Sequence, residues 1–136
     1  SMSTINNEIQ KRLHFRIAQG REKLALSHIM LEKGHYNNSV LFSYLSLFYL
    51  VRVFLIENDI DSDNSLKIVE LIQKYYASTW DTVDIKTMLT KSRMPRDTDP
   101  VPQTVSREEA EQCYHNATVL MNKVLQQHPN SSRKPT

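Results

Sequence analysis

The sequence predicts an all-α fold: an up-and-down antiparallel bundle of four main helices plus a short one. Three observations predict it. Apolar residues recur at three- and four-residue intervals through long segments near both ends of the chain, the repeat of a helix that buries one face. Between them, Tyr36–Glu57, YNNSVLFSYLSLFYLVRVFLIE, is apolar nearly all the way round, as a helix buried among others must be. Only two glycines occur in 136 residues, which argues against a turn-rich β fold and against a Gly-rich phosphate loop.

The first helix is predicted from a cap at Ser3-Thr4 to about Lys33. Its apolar stripe is Ile9, Leu13, Ile17, Leu24 and Leu31, with Gly20 and His28 on the same side. That placement makes His28 a packed, hydrogen-bonded core histidine, with a functional role as the alternative. Gly34-His35 is a tight link and forces the next helix to run back alongside the first. In Tyr36–Glu57, Ser39, Ser43 and Ser46 form one small stripe that lets a neighbour approach closely. Arg52 is the charge inside this run and is expected to be buried and paired. A membrane span needs about 20 apolar residues with few polar interruptions. Arg52, the serines and the asparagines break the run, so a central helix of a soluble bundle is the better reading.

The loop NDIDSDNS lacks the glycine and closing glutamate of a calcium loop. Asp63 or Asn64 is read instead as the cap of a third helix, about Ser65 to Ser78, burying Ile68, Val69, Ile72 and Tyr75-Tyr76. A short helix, about Thr82 to Lys91, follows Trp80. The stretch KSRMPRDTDPVPQTV carries three prolines and reads as an irregular loop. Ser106 with Glu109 has the capping-box pattern that opens the last helix. Its stripe is Ala110, Cys113, Tyr114, Ala117, Leu120, Met121, Val124 and Leu125, ending near Gln127. The chain is thus one domain over residues 1–128, with a disordered tail over 129–136.

Net charge +2 is too small to imply nucleic-acid binding by itself. One cysteine, Cys113, excludes an intrachain disulfide, and its place on an apolar stripe makes it a core residue. With no signal-peptide pattern, the expected location is cytoplasmic. The five histidines are scattered, and no metal site is predicted. The one concentration of forked donors is Arg93 and Arg96, with Lys91 before them and Asp97 behind. Guanidinium matches phosphate, so this loop is the candidate anion site. A solvated loop with its own Arg–Asp pairs is the alternative.

With these elements in place the chain resembles the HEPN family, the higher eukaryotes and prokaryotes nucleotide-binding domains, and is most like their small stand-alone prokaryotic members. Met30-Leu31-Glu32-Lys33-Gly34-His35-Tyr36-Asn37-Asn38-Ser39-Val40 is similar to the family's LLENGLYDDAV. Ser43 to Leu55 then follows the family's AYYAAFHAARALL in register, with Tyr44, Phe48 and Arg52 on its Tyr, Phe and Arg. Arg93-Met94-Pro95-Arg96-Asp97 matches an Arg-x-x-x-Asp segment, where Thr98 replaces the usual Tyr. The resemblance runs from about Arg16 to Leu125.

The resemblance implies a helical bundle that dimerises and needs no cofactor. It also implies a possible nucleotidyltransferase partner in a toxin–antitoxin or defence system. Active relatives are metal-independent ribonucleases with Arg, four to six residues, then His near the start of the last long helix. Here no histidine follows Arg93 or Arg96 within that reach; the next is His115. Arg21 and His28 have the spacing but lie in the first helix. Three readings follow: a homodimeric module binding a nucleotide, RNA or a protein partner without cleaving; a ribonuclease with a rearranged site; and a purely structural scaffold. Lys91, Arg93, Arg96 and Asp97 are the expected ligand contacts. Arg52, Tyr44 and His28 are the expected buried polar groups.

Overall fold

The computed structural model describes residues 1–58, 60, 62, 64, 67, 68, 70, 71, 74, 97, 98 and 104–129. Three long helices carry them: α1, Met2–Glu32; α2, Tyr36–Glu57; and α3, Arg107–Gln127. No strand occurs among the described residues. The helix expected after the acidic loop also begins where the pattern places it. The Lys67 N–H donates to Asn64 Oδ1 at 3.1 Å, so Asn64 is the cap, and Ile68 and Leu71 are buried in the core. Val69, Ile72, Tyr75, Tyr76, the short helix at Thr82 to Lys91 and the tail from residue 130 lie outside the described residues.

The centre is α2. Every side chain from Leu50 to Ile56 is buried, so one chain already covers most of its surface. By length and hydropathy α2 could cross a membrane, but 67% of its most apolar window is packed inside the bundle, which accounts for its composition. Arg52 is 7% exposed, as expected, with its Cζ 5.7 Å from the centroid of the Phe48 ring, a cation–π arrangement. Tyr44 is half-buried and packs against the core rather than lying wholly within it.

The pairing of α1 with α2 depends on small residues. Gly20 carries no side chain because none fits. A Cβ there would come within 2.8 Å of Leu50 Cγ. Around it the contact is polar. Ser27 Oγ donates to the Ser39 carbonyl at 2.8 Å, and Ser39 Oγ donates back to the Ser27 carbonyl at 2.9 Å. Ser43 Oγ lies 2.6 Å from Ser27 Oγ, and Ser46 Oγ donates to the Gly20 carbonyl at 2.7 Å. All four serines are fully buried, and each hydroxyl has a partner, so desolvation is compensated.

Two details of α1 differ from the sequence reading. Its cap is Ser1, whose side chain accepts from the Thr4 N–H, not Ser3-Thr4. His28 is not a core residue: its side chain is 51% exposed. The inward positions are Leu13, Gly20 and Ser27, each seven residues apart, and His28 is rotated about 100° from that line. Sequence spacing alone placed the histidine inside because serine was not counted as a core residue.

At the turn, Gly34 adopts φ +80°, which a glycine accepts without strain and which lets α2 fold straight back along α1. The far ends of α2 and α3 are joined by His128 and Glu57, whose side chains are in direct contact. As predicted, α3 opens at Ser106, which accepts from the Glu109 N–H at 3.1 Å.

Candidate functional site

The end of the bundle at Gly34 brings three elements together. The α1–α2 turn, the first turn of α2 and the two residues before the α3 cap enclose an open cleft of about 290 Å³. It is lined by Gly34, His35, Tyr36, Asn37, Asn38, Thr104 and Val105. Asn37 Oδ1 accepts from the Val105 N–H at 3.1 Å and so pins the incoming loop to α2. That bond sets where α3 begins relative to the turn.

Beside the cleft, polar side chains from three helices lie near one another. On α3, Arg107, Glu111 and Tyr114 stand at i, i+4 and i+7 and so share one face. Arg107 Nε donates to Glu111 Oε1 at 2.9 Å. That bond raises the guanidinium pKa above its ordinary value. Nearby Tyr36, the Glu111 charge and Glu32 add to the shift through space, so the charge is permanent. On α1, His28 Nε2 is 3.8 Å from Glu32 Oε1, and its ring meets the Tyr114 ring at 5.4 Å between centroids, tilted by 37°. The strip thus holds a fixed cation, an imidazole, two phenols and two carboxylates. It can present forked donors to a phosphate and aromatic faces to a base. The carboxylates Glu32 and Glu111 offset part of the positive potential.

This chain contains a match to the family model described as HEPN domain, covering residues 13–127. The chain belongs to the HEPN family. The matched span begins at Leu13, the first fully packed residue of α1, and ends with α3. Membership makes this a nucleotide- or RNA-related helical module, the class that the resemblance implied. Comparison with curated proteins and with solved structures gives no match.

The other expected HEPN site residues divide sharply. Lys91, Arg93 and Arg96 lie outside the described residues. Asp97 is exposed in a turn with Thr98. His115 is exposed but belongs to another depression on α3, of about 340 Å³, with Gln112, Asn116 and Val119. Eight residues separate Arg107 from His115, which turns the histidine about 80° away and roughly 12 Å along the axis. The two therefore do not form one site on α3.

Arg107, Tyr36 and Tyr114 were missed as site residues. The sequence showed Arg107 only as part of a capping box and Tyr114 only as part of a core stripe. The available signal was the spacing of Arg107, Glu111 and Tyr114, which makes a polar line flanking the apolar one.

Proposed function

We propose that this protein is a HEPN binding module that holds the phosphate-bearing part of a nucleotide or of single-stranded RNA at the Gly34 end of the bundle, without cleaving it. The observation that carries this reading is the gathering at one end of the bundle of Arg107, two residues beyond Val105 of the cleft lining and within electrostatic reach of Tyr36 and Glu32, and of Tyr114, which lies on the same face of α3 and packs its ring against His28. Arg107 serves the phosphate, and the half-buried rings of Tyr36 and Tyr114 serve bases. Lys91, Arg93 and Arg96 add charge through the loop that leads to α3, a role that rests on their sequence pattern. Cleavage would need an imidazole placed for proton transfer, worth roughly 10²- to 10⁴-fold. No Arg–His pair at the family's spacing opens α3, which favours binding over catalysis.

The test is fluorescence anisotropy with a labelled single-stranded RNA oligonucleotide and, separately, with ATP, across a salt series. Arg107→Ala should weaken binding about tenfold and reduce the salt slope by about one, as loss of one phosphate contact does. Tyr114→Ala should cost about 1–3 kcal/mol of RNA affinity through lost stacking. The recovered RNA should be full length on a denaturing gel. Binding that is unchanged in Arg107→Ala would refute the site, and metal-independent cleavage would refute the non-catalytic reading.

A further inference from the structure

Among the described residues, the strip at the Gly34 end holds more negative than positive charge. Arg107 is a cation, while Glu32 and Glu111 are both carboxylates. Lys33 and Glu108, exposed and next to Glu32 and Arg107 in the chain, are opposite in sign and cancel. One cation against two carboxylates leaves an excess negative charge. A phosphate diester brings another, so the carboxylates oppose its arrival at Arg107.

His28 is placed to relieve this opposition. Its Nε2 stands 3.8 Å from Glu32 Oε1, and its ring meets that of Tyr114 at 5.4 Å between centroids. The imidazole is therefore held on one side by α1 and on another by α3. Glu32, its ion-pair partner, is also one of the groups that act on Arg107 through space. A charged His28 pairs with Glu32 and cancels the carboxylate that would otherwise repel an anion at Arg107. The other titratable and charged groups of the strip are Tyr36 on α2 and Arg107, Glu111 and Tyr114 on α3. Imidazole is the side chain whose charge ordinarily changes between about pH 5 and 8, where carboxylates, phenols and guanidinium keep theirs. His35 is the other imidazole at this end, exposed on the wall of the cleft.

We propose that binding of a phosphate-bearing ligand at the Gly34 end is coupled to uptake of a proton by His28, so that affinity rises as pH falls through the imidazole range. The inference rests on the reading of this end of the bundle as the phosphate site. Linkage is reciprocal: a proton that favours the anion is itself favoured by the anion. At the acid end His28 is charged before the ligand arrives, and affinity is highest. At the alkaline end it stays neutral, Glu32 is uncompensated, and affinity is lowest. His28 thus acts through Glu32 on the charge that Arg107 offers, as a group that sets affinity without having to touch the ligand.

The test is anisotropy of the full chain with oligouridine, whose diester phosphates and bases hold one charge state over the imidazole range, about pH 5.5 to about pH 8. The label is one that does not titrate there, and ionic strength is held constant. The parent should bind about fivefold tighter at the acid end than at the alkaline end. His28→Gln should bind within about twofold across the range. His28→Lys, which keeps its charge throughout, should bind at the alkaline end as the parent does at the acid end. His35→Gln should keep the dependence of the parent. Calorimetry in two buffers of different ionisation enthalpy should show proton uptake on binding by the parent and none by His28→Gln. The His28 side chain is 51% exposed, so circular dichroism should show unchanged helix content in its variants. A parent with level affinity across the range, still weakened by Arg107→Ala, would overturn the coupling and leave the site standing. A dependence that survives in His28→Gln, or that vanishes in His35→Gln, would overturn it as well. Absence of binding at both ends of the range would remove the site and the coupling together.

Discussion

Replacing Gly20 with alanine separates a buried close approach from an ordinary helical glycine. On a free helix surface the change stabilises by about 1 kcal/mol, because alanine is the better helix former. Here the new methyl would meet Leu50 Cγ and Cδ2 at 2.8 Å. Cγ is a branch point on a side chain with no exposure, so it cannot swing aside into solvent. Overpacking of this kind costs about 1–3 kcal/mol. The net expectation is therefore a loss of about 0–2 kcal/mol, the reverse of the surface behaviour. Leu50→Ala makes room for the methyl at its own cost of about 2–5 kcal/mol. In that background Gly20→Ala should stabilise by about 1 kcal/mol. The coupling between the two positions should then be about 1–3 kcal/mol, read from urea unfolding of four variants followed by circular dichroism. Stabilisation of the parent by Gly20→Ala, or additivity with Leu50→Ala, would refute the close approach.

Two further substitutions probe the same hairpin. Ser27→Ala removes the donor to the Ser39 carbonyl and the partner of Ser43 Oγ, leaving buried polar atoms unsatisfied. It should cost about 1–3 kcal/mol in the same unfolding assay. Gly34→Ala meets no neighbouring atom but must hold φ +80°, so it should cost about 1 kcal/mol, with less loss for Gly34→Asn.

The long elements were legible because their physics is local and periodic. The limits of α2, the Ser106 cap and the Asn64 cap followed from spacing and from which side chains can accept a backbone N–H. The small stripe of Ser39, Ser43 and Ser46 was legible as well, because only close approach of a second helix gives it a use. The partner of that stripe was not. Ser27 on α1 is polar and was passed over, so the inward line was drawn through His28, one residue off. The site was less legible still. Arg107, Tyr36 and the His28–Tyr114 pair come from three helices, and adjacency across helices leaves no mark in a one-dimensional pattern. What sequence can show is a local concentration of charge, and that drew attention to the loop at Arg93 and Arg96.

The paired bonds between Ser27 and Ser39 constrain how the molecule can move. Each serine donates to the carbonyl of the other, so sliding one helix along its neighbour breaks both bonds together. With Leu50 filling the notch at Gly20, neither small steps nor a full-turn jump of 5.4 Å leaves these groups matched. The α1–α2 hairpin therefore moves as one rigid body. Among the described residues, α3 is held by apolar contacts along its length, by the Tyr114–His28 ring contact and by polar ties just beyond its two ends, Asn37 to Val105 and Glu57 to His128. Relative motion is thus a tilt or roll of α3 against a fixed hairpin. Such motion would change how far Arg107 on α3 stands from Tyr36 on α2. Hydrogen exchange should reflect this division, with amides of α1 near Ser27 and of α2 near Ser43 opening only on global unfolding and those at the start of α3 exchanging sooner.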